Sequence, residues 1–345
     1  MSIKHYVTLL YSMKKALKVV GIVLVAIVAI AAAGVLYMQY AFPNVDAAPT
    51  IAIDKTPALV ERGEYLANHV AVCIDCHSTR DWSKYAGPPI PGTEGKGGDV
   101  FDHSVGFPGV FYARNITSDK ETGLGNWTDG EIYRAMTKGV SKNGDPLFPV
   151  MPYHYYNQMS KQDAYAVIAY IRTLQPIKNK VAESKPDFPM NLIMRTMPLK
   201  EDASTDEATL TDDVLKGKYM LTISGCAECH TPQDKGKPIE GKYLAGGFEF
   251  KFPNGAVVRS VNITPDKQNG IGTWTEDMFV QRFKAYGTPE AANHKVSPDE
   301  MNTVMPWTMY SGMKEEDLRA IYRYLKSLEP NNNKVERFTP APKKS

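Results

Sequence analysis

Cys73-Ile-Asp-Cys76-His77 and, further along, Cys226-Ala-Glu-Cys229-His230 are the stretches from which the fold follows. Each sets two thiols three positions apart with a histidine directly behind the second. At that spacing two cysteines bond the vinyl groups of a porphyrin, and the histidine takes one axial position on its iron. The pattern predicts two covalent c-type haems, attached at Cys73, Cys76, Cys226 and Cys229 and ligated by His77 and His230. All four cysteines of the chain are used in this way. A four-cysteine zinc ribbon sets its knuckles about 15–20 residues apart, whereas Cys226 follows Cys73 by 153 positions. Neither zinc nor disulfide pairing explains the adjacent histidine in both places.

The chain also repeats itself around these motifs. Arg62-Gly-Glu-Tyr65 answers Lys216-Gly-Lys-Tyr219, and Asn115-Ile-Thr-Ser-Asp119 answers Asn262-Ile-Thr-Pro-Asp266. Gly123-Leu-Gly125 with Trp127-Thr128 answers Gly270-Ile-Gly272 with Trp274-Thr275. From Met151-Pro152 and Met305-Pro306 onward the copies run in register to Pro176 and Pro330, with Tyr156/Tyr310, Met159/Met313, Asp163/Asp317 and Tyr170/Tyr324 coinciding. A self-match of this length is the mark of a duplicated unit.

Helix signals fall at the same places in both copies. Thr56-Pro57 and Thr211-Asp212 read as helix starts, each helix leading into its C-x-x-C-H. Thr128-x-x-Glu131 is a capping box, matched by Thr275-Glu276-Asp277. The last helix of each copy carries a stripe at helical spacing: Ala164, Val167, Ile168, Ile171 and Leu174, then Leu318, Ile321, Tyr322, Leu325 and Leu328. Between helices the Gly- and Pro-rich segment Ala86 to Val110 excludes helix or central strand and reads as an ordered loop over the haem edge, with disorder as the alternative. Glu201 to Thr211 reads as a polar flexible tether, and Asn331 to Ser345 as a polar, mobile tail. The resulting plan is all-α. It has two tandem cytochrome c domains, each with one covalent haem, preceded by one transmembrane helix. The boundaries are an anchor at 1–42, domain one at 50–176, a linker at 177–211, domain two at 212–330 and the tail at 331–345.

An iron ligated by histidine needs a second axial ligand if it is to carry electrons rather than bind small molecules, and methionine raises its potential. Of 15 methionines, Met151 and Met305 match across the copies, each before proline and each shortly before the last helix. They are the predicted axial ligands. Met159 and Met313 also match, with a hydrophobic staple as their simpler role. His154 faces Thr308 in the repeat, and His69, His103 and His294 have no counterpart; these read as loop or surface histidines. Asn115, Asn262, Trp127 and Trp274 divide evenly between contact with the porphyrin and a turn with its hydrophobic anchor.

Lys4, Lys14, Lys15 and Lys18 precede an uncharged run from Val19 to Met38, 20 residues long, enough to cross about 30 Å of hydrocarbon as a helix. Tyr37, Tyr40 and Phe42 stand where an interfacial aromatic belt belongs, and the lysines hold the N-terminus in the cytoplasm. The alternative is a cleaved signal peptide processed near Ala29-Ile30-Ala31. Both export everything after about residue 43, which suits covalent haem attachment outside the cytoplasm and places the haem domains in the periplasm, on the inner membrane if the anchor is kept. The chain has 40 basic and 38 acidic residues; the first 40 positions hold four lysines and no acid, leaving 36 basic against 38 acidic beyond them. That is not the basic field of a nucleic-acid binder.

The order C-x-x-C-H, Asn-Ile-Thr-x-Asp, Gly-x-Gly-x-Trp-Thr, Met-Pro resembles the cytochrome c subunits of membrane-bound bacterial dehydrogenases, those for alcohols, gluconate and related sugar acids. The resemblance spans about residues 60 to 330 and includes Pro176, Asn179, Phe188-Pro189, Asn191 and Arg195 of the connection. It implies axial roles for Met151 and Met305; the family's subunits usually carry three haems, against two motifs here. The function expected is electron transfer without catalysis. A dehydrogenase or quinol-oxidising complex would supply electrons, and a terminal oxidase or soluble cytochrome would take them. A di-haem cytochrome c peroxidase is the alternative, and it would need one iron position open to peroxide.

Overall fold

The computed structural model describes residues 3–342 apart from 235 and 298. Helix α1 (Ile3–Ala41) comes first and touches the rest of the molecule at its C-terminal end. Its segment Leu10–Ala41 has an unburied apolar stretch and is long and apolar enough to cross a membrane, a test that a signal sequence also passes.

The first half is built from α2 (Pro57–Tyr65), α3 (Cys73–Cys76), α4 (Asp129–Lys138), α5 (Tyr153–Tyr156) and α6 (Lys161–Ile171). A short turn, α7 (Met190–Ile193), lies in the connection. The second half repeats the order with α8 (Asp213–Ile223), α9 (Cys226–His230), α10 (Glu276–Lys284), an added turn α11 (Pro289–Ala292), α12 (Trp307–Tyr310) and α13 (Glu315–Ser327). The starts follow the expected chemistry. The Thr56 hydroxyl accepts from Leu59 N ahead of Pro57, Asp212 accepts from Val214 N and Leu215 N, and Thr128 and Glu131 close the capping box. From Tyr65 to Cys73 is one residue more than from Tyr219 to Cys226. The first half absorbs it as a π turn at Leu66–Val70, which adds a residue without reversing the helix. A left-handed residue, Val72 or Gly225, then leads into each C-x-x-C-H.

In each half the first helix crosses the last, α2 on α6 and α8 on α13. Glycine permits the approach. A Cβ on Gly63 would lie 1.8 Å from Ala166 O, and one on Gly217 would lie 1.9 Å from Ala320 O. The expected stripes face this crossing: Ala164, Val167 and Ile168, and Leu318 and Ile321, are buried. Met159 and Met313 are almost fully buried beneath the start of the last helix, as the staple role requires.

The mainly helical expectation holds, with short strands beside the helices, and three local expectations need correction. β1 (Val100–Phe101), β2 (Gly109–Tyr112) and β3 (Lys185–Pro186) form one antiparallel sheet with β2 in the centre, so the Gly-rich segment does end in a central strand. A two-stranded pair, β4 (Gln233–Asp234) and β5 (Lys237–Pro238), precedes a second three-stranded sheet of β6 (Glu249–Lys251), β7 (Val257–Arg259) and β8 (Phe338–Thr339). Strand β8 comes from the polar tail, pinned by Val258 facing Phe338; alternation over two residues is too short a signal to read in a sequence. The polar stretch from Glu201 is held as well. Asn157 Nδ2 donates to Glu201 O at 3.1 Å, Ala203 N donates to Asn157 Oδ1 at 2.9 Å, and Ser160 Oγ donates to Glu207 Oε1 at 2.5 Å.

The halves meet across a reciprocal contact between matched residues. Tyr219 Oη donates to Asp163 Oδ2 at 2.7 Å and accepts from Ser160 N at 3.1 Å. Tyr65 Oη donates to Asp317 Oδ2 at 2.5 Å and accepts from Lys314 N at 3.1 Å. The interface is self-complementary in the manner of a two-fold dimer, drawn inside one chain. Arg62 adds a bidentate pair to Asp163 at 2.8 and 2.9 Å. Burial, chiefly, holds the Asp317 carboxyl above its usual range, and the Tyr65 phenol pulls it back. Tyr65→Phe is expected to cost about 1–2 kcal/mol at neutral pH, because a part-buried carboxylate loses a donor. The phenol stabilises the ionised form, so the cost is full where Asp317 is ionised and shrinks as acid protonates it, leaving the pH-independent loss of the acceptor for Lys314 N. Guanidinium unfolding of the two proteins at neutral and acid pH checks both parts.

Candidate haem-binding sites

Each C-x-x-C-H lies on a single short turn, α3 or α9, and the two halves hold their histidines alike. His77 Nδ1 is 2.6 Å from Arg114 O, and His230 Nδ1 is 2.8 Å from Val261 O. A carbonyl only accepts, so Nδ1 carries the proton and Nε2 is left with its lone pair. That is the tautomer an iron ligand requires, fixed by a partner beyond the metal. Burial keeps both imidazoles below their ordinary pKa, hence neutral.

The backbone behind each histidine is equally constrained. Gly97 N donates to His77 O at 2.8 Å, and Gly246 N donates to His230 O at 2.7 Å. Both glycines have positive φ, 73° and 70°. A Cβ would come within 2.5 Å of Arg114 C or 2.4 Å of Val261 C, the same residues whose carbonyls orient the imidazoles. Gly246→Ala is expected to destabilise the second half by about 1–3 kcal/mol, from the left-handed backbone and the overpacking together. It should also disturb the His230 environment, read as a shift of one of two reduction potentials.

The Asn-Ile-Thr sites serve this support. Asn115 Oδ1 accepts from Thr117 N at 2.9 Å and Asn115 Nδ2 donates to Ile177 O at 2.8 Å. Asn262 Oδ1 accepts from Thr264 N at 2.9 Å and Asn262 Nδ2 donates to Asn331 O at 2.7 Å. The turn reading therefore prevails: each asparagine locks the loop whose preceding carbonyl holds the histidine. Trp127 and Trp274 are half-buried anchors of the turns that follow, their carbonyls taken by Arg172 Nη2 and Tyr322 Oη. Sequence reasoning missed Arg114 and Val261. Their only signal was position, directly before the matched asparagines.

Tyr156 and Tyr310, matched in the repeat, donate to Ala71 O and Ser224 O, each at 2.7 Å, and so tie the Met-Pro side of each half to the approach of its motif. Met151 and Met305 pack on the same core as Cys73 and Cys226, with Pro152 and Pro306 opening α5 and α12. His154 Nε2 lies 3.0 Å from Glu228 Oε2 of the second motif, His69 Nδ1 lies 2.8 Å from Met309 O and His103 Nε2 lies 2.7 Å from Asp187 Oδ2. Each of the three has a protein partner on one ring nitrogen. In the first motif Asp75 is buried against Arg80 at 3.2 Å, and burial pushes its carboxyl up to about 6.

The donor set fits a c-type haem. No disulfide joins the four cysteines, which leaves all four sulfurs available for porphyrin vinyl carbons. Among the described residues no cluster of three or more His, Cys, Asp or Glu is placed to hold a metal ion. Burial pushes all four thiols up to about 12, the opposite of the depressed values in redox-active C-x-x-C pairs.

Residues 214–329 match the cytochrome c family. The chain contains a cytochrome c domain. A domain of this kind implies a covalent c-type haem. The chain is 31% identical over 298 residues to the gluconate 2-dehydrogenase cytochrome c subunit of Pantoea cypripedii, covering 82% of this chain and 62% of that protein. To the cytochrome c subunit of the quinone alcohol dehydrogenase of Gluconobacter oxydans it is 30% identical, covering 80% and 56%. A diheme cytochrome c-type protein of Cereibacter sphaeroides is 28% identical over 263 residues, covering 74% and 81%. The chain spans less than two thirds of the length of the two dehydrogenase subunits.

Proposed function

We propose that this chain is an electron-transfer protein: a membrane-anchored di-haem cytochrome c with both haems in the periplasm, ligated by His77 and Met151 and by His230 and Met305. The observation that carries this reading is the duplication of one arrangement. In both halves the two thiols and an imidazole with Nε2 free occur together, with Met-Pro packed on the same core. When bound, each haem supplies a reversible one-electron Fe(III)/Fe(II) couple. The chain's own residues orient the imidazoles through Arg114 and Val261, bury the motifs and keep water from the core. Electrons would come from a dehydrogenase or quinol-oxidising complex and leave toward a terminal oxidase or soluble cytochrome; the kinship with dehydrogenase subunits favours a dehydrogenase as donor.

A di-haem peroxidase would need one iron position open to peroxide. Met-Pro in both halves argues against that opening, and none of the relatives named above is a peroxidase. Spectroelectrochemical titration of the haem-loaded chain tests the reading. Two one-electron waves are expected, with the methionine-to-iron charge-transfer band in the oxidised spectrum and no peroxide turnover. A high-spin haem that turns over peroxide would overturn it.

A further inference from the structure

We propose that the segment Asp187–Met197, in the connection between the halves, rests on the outer leaflet of the bilayer as a second lipid contact beside α1; the inference depends on α1 being a retained span. Arg195 carries it. Its guanidinium donates to Met38 O at 3.3 Å, Gln39 O at 2.8 Å and Phe42 O, carbonyls left without helical partners where α1 stops. Helix α1 also packs against α7 and the turn Met194–Thr196 that follows it. The clamp thus sets the segment at the height of the last turns of the apolar helix. Tyr37 and Tyr40 stand at that height, 65% and 82% exposed, where an interfacial aromatic belt sits.

On this segment Phe188 is 76% exposed and Ile193 42% exposed, and Pro189 is open beside them, while Met194 turns inward and is buried. Clustered apolar side chains of this size mark an interaction face rather than ordinary surface. The occupant follows from continuity: the surface adjoining this face is that of α1, so the medium that meets one meets the other. A second contact away from the helix axis also fixes the tilt of the haem-bearing halves above the membrane, which a single helix end does not.

The test uses the full haem-loaded chain in vesicles of phosphatidylethanolamine and phosphatidylglycerol. The native thiols are bonded to haem, so a nitroxide reacts only at an introduced cysteine: Phe188→Cys, Ile193→Cys, Val28→Cys within α1, or Lys267→Cys on an exposed loop of the second half. Each variant is first required to show the parent's haem spectrum; all four positions are exposed. Labels at 188 and 193 are expected to collide with oxygen in preference to a water-soluble nickel chelate several-fold more than the label at 267. If 28 is lipid-exposed while 188 and 193 match 267, the second contact is refuted and the span stands. If 28 is aqueous too, both fall.

Discussion

Met305→His should lower the reduction potential of one haem by on the order of 0.2 V and leave the other unmoved, with both haems still covalently attached. A thioether favours Fe(II), whereas a second imidazole donates more strongly and favours Fe(III); axial ligands span about 0.8 V across haem proteins. Attachment survives because Cys226, Cys229 and the His230–Val261 bond at 2.8 Å are untouched. In a redox titration one of two waves moves, and the methionine charge-transfer band loses about half its intensity if each haem contributes equally. Met313→Leu separates the two matched methionines. Met313 is almost fully buried under α13, so a swap that conserves volume should cost under about 1.5 kcal/mol and shift neither potential. If Met305→His leaves both waves in place, Met305 is not the ligand.

Gly217→Ala should destabilise the second half by about 3 kcal/mol or more. Two effects oppose each other. Alanine in a helix interior gains about 0.5–1 kcal/mol over glycine. Against this, the added Cβ lies 1.9 Å from Ala320 O and 2.4 Å from Ala320 C. These are backbone atoms of α13, so no side-chain rotation relieves the overlap and the two helices must part. The parting opens a core that includes Leu221, Leu318 and Leu325, so the clash wins. Lys216→Ala, on the exposed side of the same helix, should stay within about 0.5 kcal/mol. Guanidinium midpoints of the haem-loaded proteins give both numbers. A Gly217→Ala protein as stable as its parent would mean that α8 and α13 do not cross as described.

The parts legible in the sequence are those that chemistry imposes locally. C-x-x-C-H is a covalent requirement, so spacing alone announces it. Caps at Thr56, Thr128 and Asp212 satisfy amides within one turn. The helical stripes of α6 and α13 report burial against a partner whatever the partner is. The repeat went further and picked out Tyr65, Tyr219, Asp163 and Asp317 as matched, though not that each tyrosine reaches the aspartate of the other half. Where the reading failed, the stabilising contact was distant in sequence. Phe338 pairs with Val258 across 80 positions, and Glu201 is held by Asn157 and Lys138, so both stretches look merely polar when read alone.

From the sequence alone came two C-x-x-C-H motifs, a repeated set of helix signals, an apolar N-terminal helix and the matched methionines. Only the tertiary structure decided how each imidazole is oriented, because Arg114 O and Val261 O are backbone atoms that carry no side-chain signature. It alone decided how the halves meet, since a two-fold contact depends on where whole helices lie. It also showed that Arg195 reaches back more than 150 residues to the end of α1, a partnership set by proximity in space and written in no local pattern.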